Sequence, residues 1–429
     1  MALVATLALM LASCNKEKEV LPRIGLAKDY LVVRLEPLAL ECGLEGESYR
    51  WETVSYIPED SVQPRELKAT LSRKRRCVAI FDHVGLYNLN FYYNEGREDA
   101  IRLSFQVKVE QEPTPYSAYI SEVLEYRPAP GYYVNPRIKG IPTHDEPLIL
   151  RRCRSILVRE DVESFDPGTL GNNRENFVSL GAFGGYVVFA FDHMVVNQKD
   201  PVREDAECND FIIYGRNYPG KGNVPCYHPG IVYVAYDRNG NGKRDEDEKW
   251  YQLRGEVPHD QLTRTDVRYT YNGGSAVVSG SDDERRGFHL VDHILVEGAS
   301  PNLASANSLS SYWPYVEKPA KGGVEPLSFS ALRLPEQGSE ELGATKADLK
   351  VTWKPLRGYA DSQPYGQNKG LDISNAVDED GRPVDLPGIH FVKVQTGVLQ
   401  QLGGENGLCE TKIMGAADLR LLPPEKRPK

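Results

Sequence analysis

"GIVYVAYDRNGNGKRDEDEKWYQL", residues 230–253, sets two short runs of alternating apolar and polar residues on either side of a polar, glycine-containing stretch. Strand side chains point to opposite faces with a period of two, so "GIVYVAY" and "KWYQL" read as strands and the run between them as the tip of a β-hairpin. The tip, Asp237 to Glu248, also fits the calcium-loop spacing D-x-[DN]-x-[DN]-G-x5-E. Asp237, Asn239 and Asn241 offer side-chain oxygens at alternating positions, and Gly242 permits the sharp turn. Lys243 can give its backbone carbonyl, Asp245 can bind directly or through water, and Glu248 can close the loop with both oxygens. Because strands flank the loop in place of the paired helices of a calcium sensor, the expected calcium is a structural staple.

Outward from this hairpin, strand-like runs recur: "ENFVSLGAFGGYVVFAFDH", "DFIIYGRNY", "GFHLVDHILVEG", "LKVTWKPL" and "IHFVKVQTG". Glycine and proline punctuate them, and no long segment after residue 119 shows clear helical periodicity. The expected fold is all-β with little helix: a large jelly-roll-like β-sandwich over 120–425. Residues 25–110 hold shorter alternating segments, among them "YLVVRLEPLALECG" and "IRLSFQVKVE", and predict a small separate sandwich. Between the two, 111–119 is polar, carries two prolines and reads as a linker. Two domains also suit a chain of 429 residues, since one hydrophobic core stops growing at roughly 250 to 300.

The formal charge of −10 comes from interspersed acids and bases, which argues against a nucleic-acid partner. The run "RKRR", Arg73 to Arg76, reads as a charge-protected strand edge, with polyanion binding as the competing reading. At the N-terminus "MALVATLALMLASC" is apolar, too short to span a bilayer, and turns polar at once with "NKEKE". Its ending resembles the lipobox of bacterial lipoproteins. Residues 1–13 are therefore expected to be a cleaved signal peptide, Cys14 the lipidated residue and 14–24 a tether, giving an outer-membrane, lipid-anchored, surface location. In an oxidising compartment the remaining six cysteines suggest disulfides. Cys42 with Cys77 and Cys208 with Cys226 are the local pairings, leaving Cys153 with Cys409, although spacing alone keeps the connectivity open.

"YRWE", "DHVGLYNLNF" and "FQVKV" in the first segment resemble PKD-like, immunoglobulin-type domains. The resemblance implies that Trp51 is a core aromatic and Tyr87 a corner tyrosine. The blocks from Val178 to Asn197, Asn209 to Tyr218, His228 to Gly255 and Gly358 to Gly397 resemble a family of Bacteroidetes cell-surface lipoproteins that join a PKD-like domain to a large β-sandwich. That family implies location and fold more than an activity. Its members often carry Glu where this chain has His228, and related surface proteins tend to close such a calcium loop with an Asp pair, which implies Asp247 as a rival to Glu248.

Candidate chemistry is sparse. "GRNYPGKG", Gly215 to Gly222, imitates a phosphate loop but has Gly222 where Ser or Thr would hold magnesium, and prolines follow in place of a helix. His289 and His293 would share one face of a strand, but no third ligand stands at a known spacing, so they read as strand histidines ahead of metal ligands. Asp192 and His193 are a candidate dyad. Aromatics in Pro- and Gly-rich loops, Tyr312, Trp313, Tyr315, Tyr359 and Tyr365, can stack on a sugar or a large cyclic ligand, or simply pack against the sandwich edge. The expected function is non-catalytic capture of a nutrient, a glycan or a cobalamin- or haem-like cofactor, for a TonB-dependent transporter. The alternatives are a glycan-active hydrolase or lyase using paired carboxylates, and a structural or adhesion protein.

Overall fold

The computed structural model describes residues 24–131, 133–134, 146–160, 177–197, 209–216, 227–277, 290–297, 309–310, 325–335, 355–364, 367–399 and 409–428, with backbone alone at 146, 271–277, 290–297 and 309–310. Two compact units divide after Tyr116. The first holds β1 (Asp29–Val33), β2 (Leu38–Glu41), β3 (Tyr49–Pro58), β4 (Arg65–Ser72), β5 (Arg76–Ala79), β6 (Gly85–Tyr93) and β7 (Ile101–Glu110). Five of these form a sheet in the order β1-β7-β6-β3-β4, and β2 pairs with β5. In β7, Leu103, Phe105, Val107 and Val109 turn inward while their neighbours face out, so the sequence's alternation becomes one wall of a core. Trp51 is fully buried there against Phe91, and its indole N–H donates to the Lys74 carbonyl at 2.9 Å. The Tyr87 hydroxyl donates to the His83 carbonyl at 3.2 Å, the short backward bond of a corner tyrosine. Glu112, in the stretch expected to be linker, is instead buried in this unit and receives the Arg34 guanidinium on both carboxylate oxygens.

The second unit contains β8 (Glu122–Arg127), α1 (Glu146–Leu157), β9 (Val178–Ser179), β10 (Tyr186–Val196), β11 (Phe211–Gly215), β12 (Gly230–Ala235) and β13 (Tyr251–Leu253). It continues with β14 (Thr263–Val277), β15 (Leu290–Glu297), β16 (Leu309–Ser310), β17 (Leu327–Arg333), β18 (Ala376–Val377), β19 (Gly388–Thr396) and β20 (Lys412–Asp418). A six-stranded sheet, β18-β13-β12-β19-β10-β8, and a three-stranded sheet, β11-β20-β9, share one core in which Phe189, Val232 and Val394 meet Ile213 and Ile413. A further sheet, β16-β15-β14-β17, packs Val267, Tyr269 and Phe329 against Ala182 and Phe183. The architecture is all-β.

Helix content was expected to be low here, and the α-helix described, α1, is short and buries Ile149, Cys153, Ile156 and Leu157 against the sandwich core, with Arg151 and Arg154 exposed. Those apolar positions do follow a helical period, over three turns only. The disulfide expectation needs correction for the described cysteines: Cys42, Cys77, Cys153 and Cys409 are buried and none is joined in a disulfide. Cys77 faces Leu40 across β2 and β5, with Cys42 displaced opposite Arg75. Cys153 lies in the core under α1, while Cys409 belongs to a separate apolar cluster with Tyr227 and Tyr359. Cys14, Cys208 and Cys226 lie outside the described residues.

Candidate functional site

The hairpin forms as its flanks dictate: Tyr233 pairs with Gln252 and Val234 with Tyr251, antiparallel, and the loop runs between them. Asp237 is buried at its base. One carboxylate oxygen accepts the Gly240 N–H and the other the Gly242 N–H, both at 2.7 Å, which winds the chain around the side chain. Both glycines sit at positive φ, 69° and 72°, a region that costs other residues steric strain. Asn239 and Asn241 turn their amide nitrogens onto the same oxygen of Asp245, each at 2.7 Å. Glu248, at 2% exposure, faces into the loop and accepts the Arg238 and Asp245 N–H groups, while Asp247 and Lys243 face solvent. Of the two rivals for the closing position, Glu248 has the inward geometry.

This arrangement bears on calcium in two ways. Among the described residues no group of three or more His, Cys, Asp or Glu side chains is gathered as a metal cage. The oxygens of Asp237, Asn239, Asn241, Asp245 and Glu248 nevertheless surround one loop, and amide and backbone N–H groups supply the positive partners that a hard cation would replace. Asparagine amides need only turn over to present oxygen. The loop base is tied to β19 by the Asp237 N–H, which donates to His390 Nδ1 at 3.3 Å; burial pushes that imidazole's pKa down to about 4, keeping it a neutral acceptor.

The Asp192–His193 dyad exists but is not poised for catalysis. His193 lies between Asp192 Oδ1 at 2.8 Å and Asp418 Oδ2 at 2.9 Å, and its side chain is fully buried. Both ring nitrogens are thereby committed. His228 is also buried. Its Nδ1 accepts the Glu410 N–H at 3.3 Å and lies 3.4 Å from Cys409 Sγ, and burial, with Lys412 nearby, pulls its pKa well below the ordinary histidine value. Beside it, Asp361 holds φ at 50°, receives the Lys412 N–H on Oδ2 at 2.9 Å, and leaves Oδ1 buried without a hydrogen bond. Burial outweighs the pull of Lys412 and Arg216 and pushes this carboxyl up to about 8.

A cleft open to a ligand lies elsewhere. A cleft of about 570 Å³ forms where the end of β13, the 357–363 loop and the 367–375 segment converge. Its walls carry Arg254, Glu256, Arg357, Gln367, Lys369 and Asn375 among other polar groups. Tyr359 borders it but is not the exposed stacking platform expected: the ring is 3% exposed and packs with Val257 and Leu356. Gly255 and Gly358 let this happen, because a Cβ on Gly255 would meet the Tyr359 ring at 2.4 Å and one on Gly358 would strike the Gly255 backbone at 2.5 Å. Tyr312, Trp313, Tyr315 and Tyr365 lie outside the described residues, as does His289, and His293 is described in backbone only.

Sequence reasoning missed the cleft's polar residues. Asn209, the residues after β13 and two segments beyond residue 356 supply them from distant parts of the chain, and the one usable signal was the break in strand patterning after Leu253 and after Tyr359. The chain matches no family model and no curated protein in sequence comparison.

Proposed function

We propose that the second unit is a non-catalytic binding module that takes a glycan in the cleft between β13 and the 357–363 and 367–375 segments, and that the chain does so as a lipid-anchored protein of the outer membrane. The observation that carries this reading is the cleft's lining. Arginine, lysine, glutamine and asparagine side chains border about 570 Å³, and Tyr359, its one aromatic ring among the described residues, is sunk in the core. A polyhydroxylated ligand matches such donors and acceptors, whereas a haem- or cobalamin-sized ring asks for broad apolar faces. The carboxylates on the walls are occupied by backbone donors, Glu256 by the Arg357 N–H at 3.1 Å and Asp372 by the Ser374 N–H at 2.7 Å, which favours holding a ligand over acid–base chemistry on it.

The lipid on Cys14 and delivery to a TonB-dependent transporter belong to this proposal and rest on the N-terminal sequence and on the resemblance of the four sequence blocks. Calcium in the Asp237–Glu248 loop acts as a staple on the hairpin whose second strand leads into the cleft. The test is titration calorimetry of the full chain against a glycan panel, a corrinoid and haem, with product analysis of each glycan mixture. Saturable glycan binding without new reducing ends is expected. Binding confined to the corrinoid or haem, or steady release of reducing ends, overturns the reading.

A further inference from the structure

We infer that the cleft selects saccharides bearing anionic substituents, uronate carboxylates or sulfate esters, through Arg254 and Lys369. This rests on the glycan-binding reading above and adds the ligand's charge to it.

Both cations line the cleft and are exposed, and among the described residues neither side chain makes a hydrogen bond or ion pair. Their backbones, by contrast, are pinned. The Arg254 N–H donates to the Asn375 carbonyl at 2.9 Å, and the Lys369 carbonyl accepts the Asn209 amide at 3.1 Å. Next to Lys369, Gly370 holds φ at 103° where a Cβ would strike the Phe211 carbonyl at 2.7 Å, so the backbone that presents the lysine has little freedom. Fixed roots with unpaired heads lower the ordering cost of binding, since only side-chain rotamers remain to be set.

Across the charged lining Arg254, Arg357 and Lys369 outnumber Glu256 and Asp372 three to two, and each carboxylate already accepts a backbone N–H on one oxygen, so the charge offered to a ligand is on balance positive. That stands out in a chain of formal charge −10. At physiological ionic strength charges beyond about 8 Å are screened, so the local pair outweighs the distant acidic surface. A planar guanidinium can hold a carboxylate or sulfate through two parallel N–H bonds, and lysine adds a mobile point charge. Gln367 and Asn375 then serve the sugar hydroxyls.

The experiment is calorimetry on the full chain with oligogalacturonate, a chondroitin sulfate oligosaccharide and a neutral glucan oligomer of matched length, at low and physiological salt. Wild type is compared with Arg254→Gln, Lys369→Gln and the double variant, each first shown to keep the wild-type Tm. At least one anionic ligand is expected to bind about tenfold or more tighter than the neutral one, some 1.4 kcal/mol. The double variant should remove that margin, bringing the anionic and neutral affinities to within about twofold of each other, and the uronate and sulfate arms separate the two chemistries. Equal affinity for neutral and anionic oligomers, or an anionic preference that survives the double variant, overturns this inference while the binding reading stands. No binding to any saccharide overturns both.

Discussion

His193 Nε2 lies 2.9 Å from Asp418 Oδ2, a bond that joins β10 of the six-stranded sheet to β20 of the sheet facing it. Asp192 Oδ1 closes on Nδ1 at 2.8 Å. A ring bonded to a carboxylate at each nitrogen donates twice, which requires the imidazolium. Burial pulls its pKa down, but the bonds to Asp192 and Asp418 and their charges outweigh this and hold it above the ordinary 6.5. Burial likewise raises Asp192, and the His193 bond with the Ser117 N–H overcomes it to hold that carboxyl below 3.8.

This triad sets a stability window. The raised histidine stabilises the fold fully below pH 6.5 and loses that contribution as pH climbs through its folded pKa; the lowered aspartate contributes above pH 3.8 and loses it as pH falls through its own. The Tm gap between wild type and His193→Gln should therefore be widest between about pH 4 and 6.5 and should narrow on either side. Removing the ring altogether, His193→Ala, should cost about 3 kcal/mol, because a buried Asp418 carboxylate is left short of a partner. A gap that is flat from pH 4 to 9 would mean the ring is held neutral.

Asp361 should behave in the opposite sense to Asp192. Burial raises it to about 8, so the folded state binds a proton that the unfolded state releases, and stability falls as pH rises from 3.8 through 8. Asparagine keeps the acceptor for the Lys412 N–H and tolerates the positive φ of 50°. Asp361→Asn should therefore gain clearly more Tm over wild type at pH 8.5 than at pH 5 in denaturation scans. Equal loss at both pH values would show that the carboxylate form is the one the fold requires.

Calcium should tighten the Asp237–Glu248 loop. A staple bound only by the folded chain adds about 2.7 kcal/mol at a hundredfold excess over its Kd. The Tm should rise on adding calcium to chelator-treated protein. Glu248→Gln, which keeps shape but gives up charge at the 2%-exposed closing residue, should blunt the rise severalfold. An unchanged Tm in chelated and calcium-loaded samples removes the metal and leaves a hairpin wound by the Asp237 bonds alone.

How far the sequence foretold this molecule differs between its halves. In β7 one face is buried and the other wet, so "IRLSFQVKVE" alternates and its register can be read directly. In β10, "YVVFAFDHMVV" is buried on nearly every residue because the sheet is covered on both sides, and alternation vanishes there. The helix at Glu146–Leu157 escaped notice because its stripe spans only three turns. Pairing Cys42 with Cys77 by proximity along the chain failed because spacing says nothing about whether Cα atoms and Cβ directions meet. Tyr359 looked like a loop aromatic from its Gly and Pro neighbours, yet Gly255, more than a hundred residues earlier, provides the space that lets its ring sink.

Lys393 supplies the last prediction. It stands on central strand β19 with its amine 4.3 Å from the Tyr186 ring and 5.6 Å from the Tyr233 ring, and no hydrogen bond reaches it among the described residues. Burial, helped by Arg244 and Arg264 and opposed by Glu125, lowers its pKa to about 8. The two ring faces favour the ammonium, so desolvation must exceed that attraction. At pH 8 roughly half of this amine is unprotonated, against well under one per cent of an ordinary lysine. Limiting acetylating reagent at pH 8 should therefore modify Lys393 well ahead of Lys68, an exposed lysine whose pKa is raised by its bond to Glu66, with peptide mass mapping as the readout. The preference should grow as pH falls from 10 to 8, because ordinary lysines lose their free amine first. If Lys68 is modified as fast as Lys393 throughout that range, the amine between the two rings is as well solvated as one on the surface.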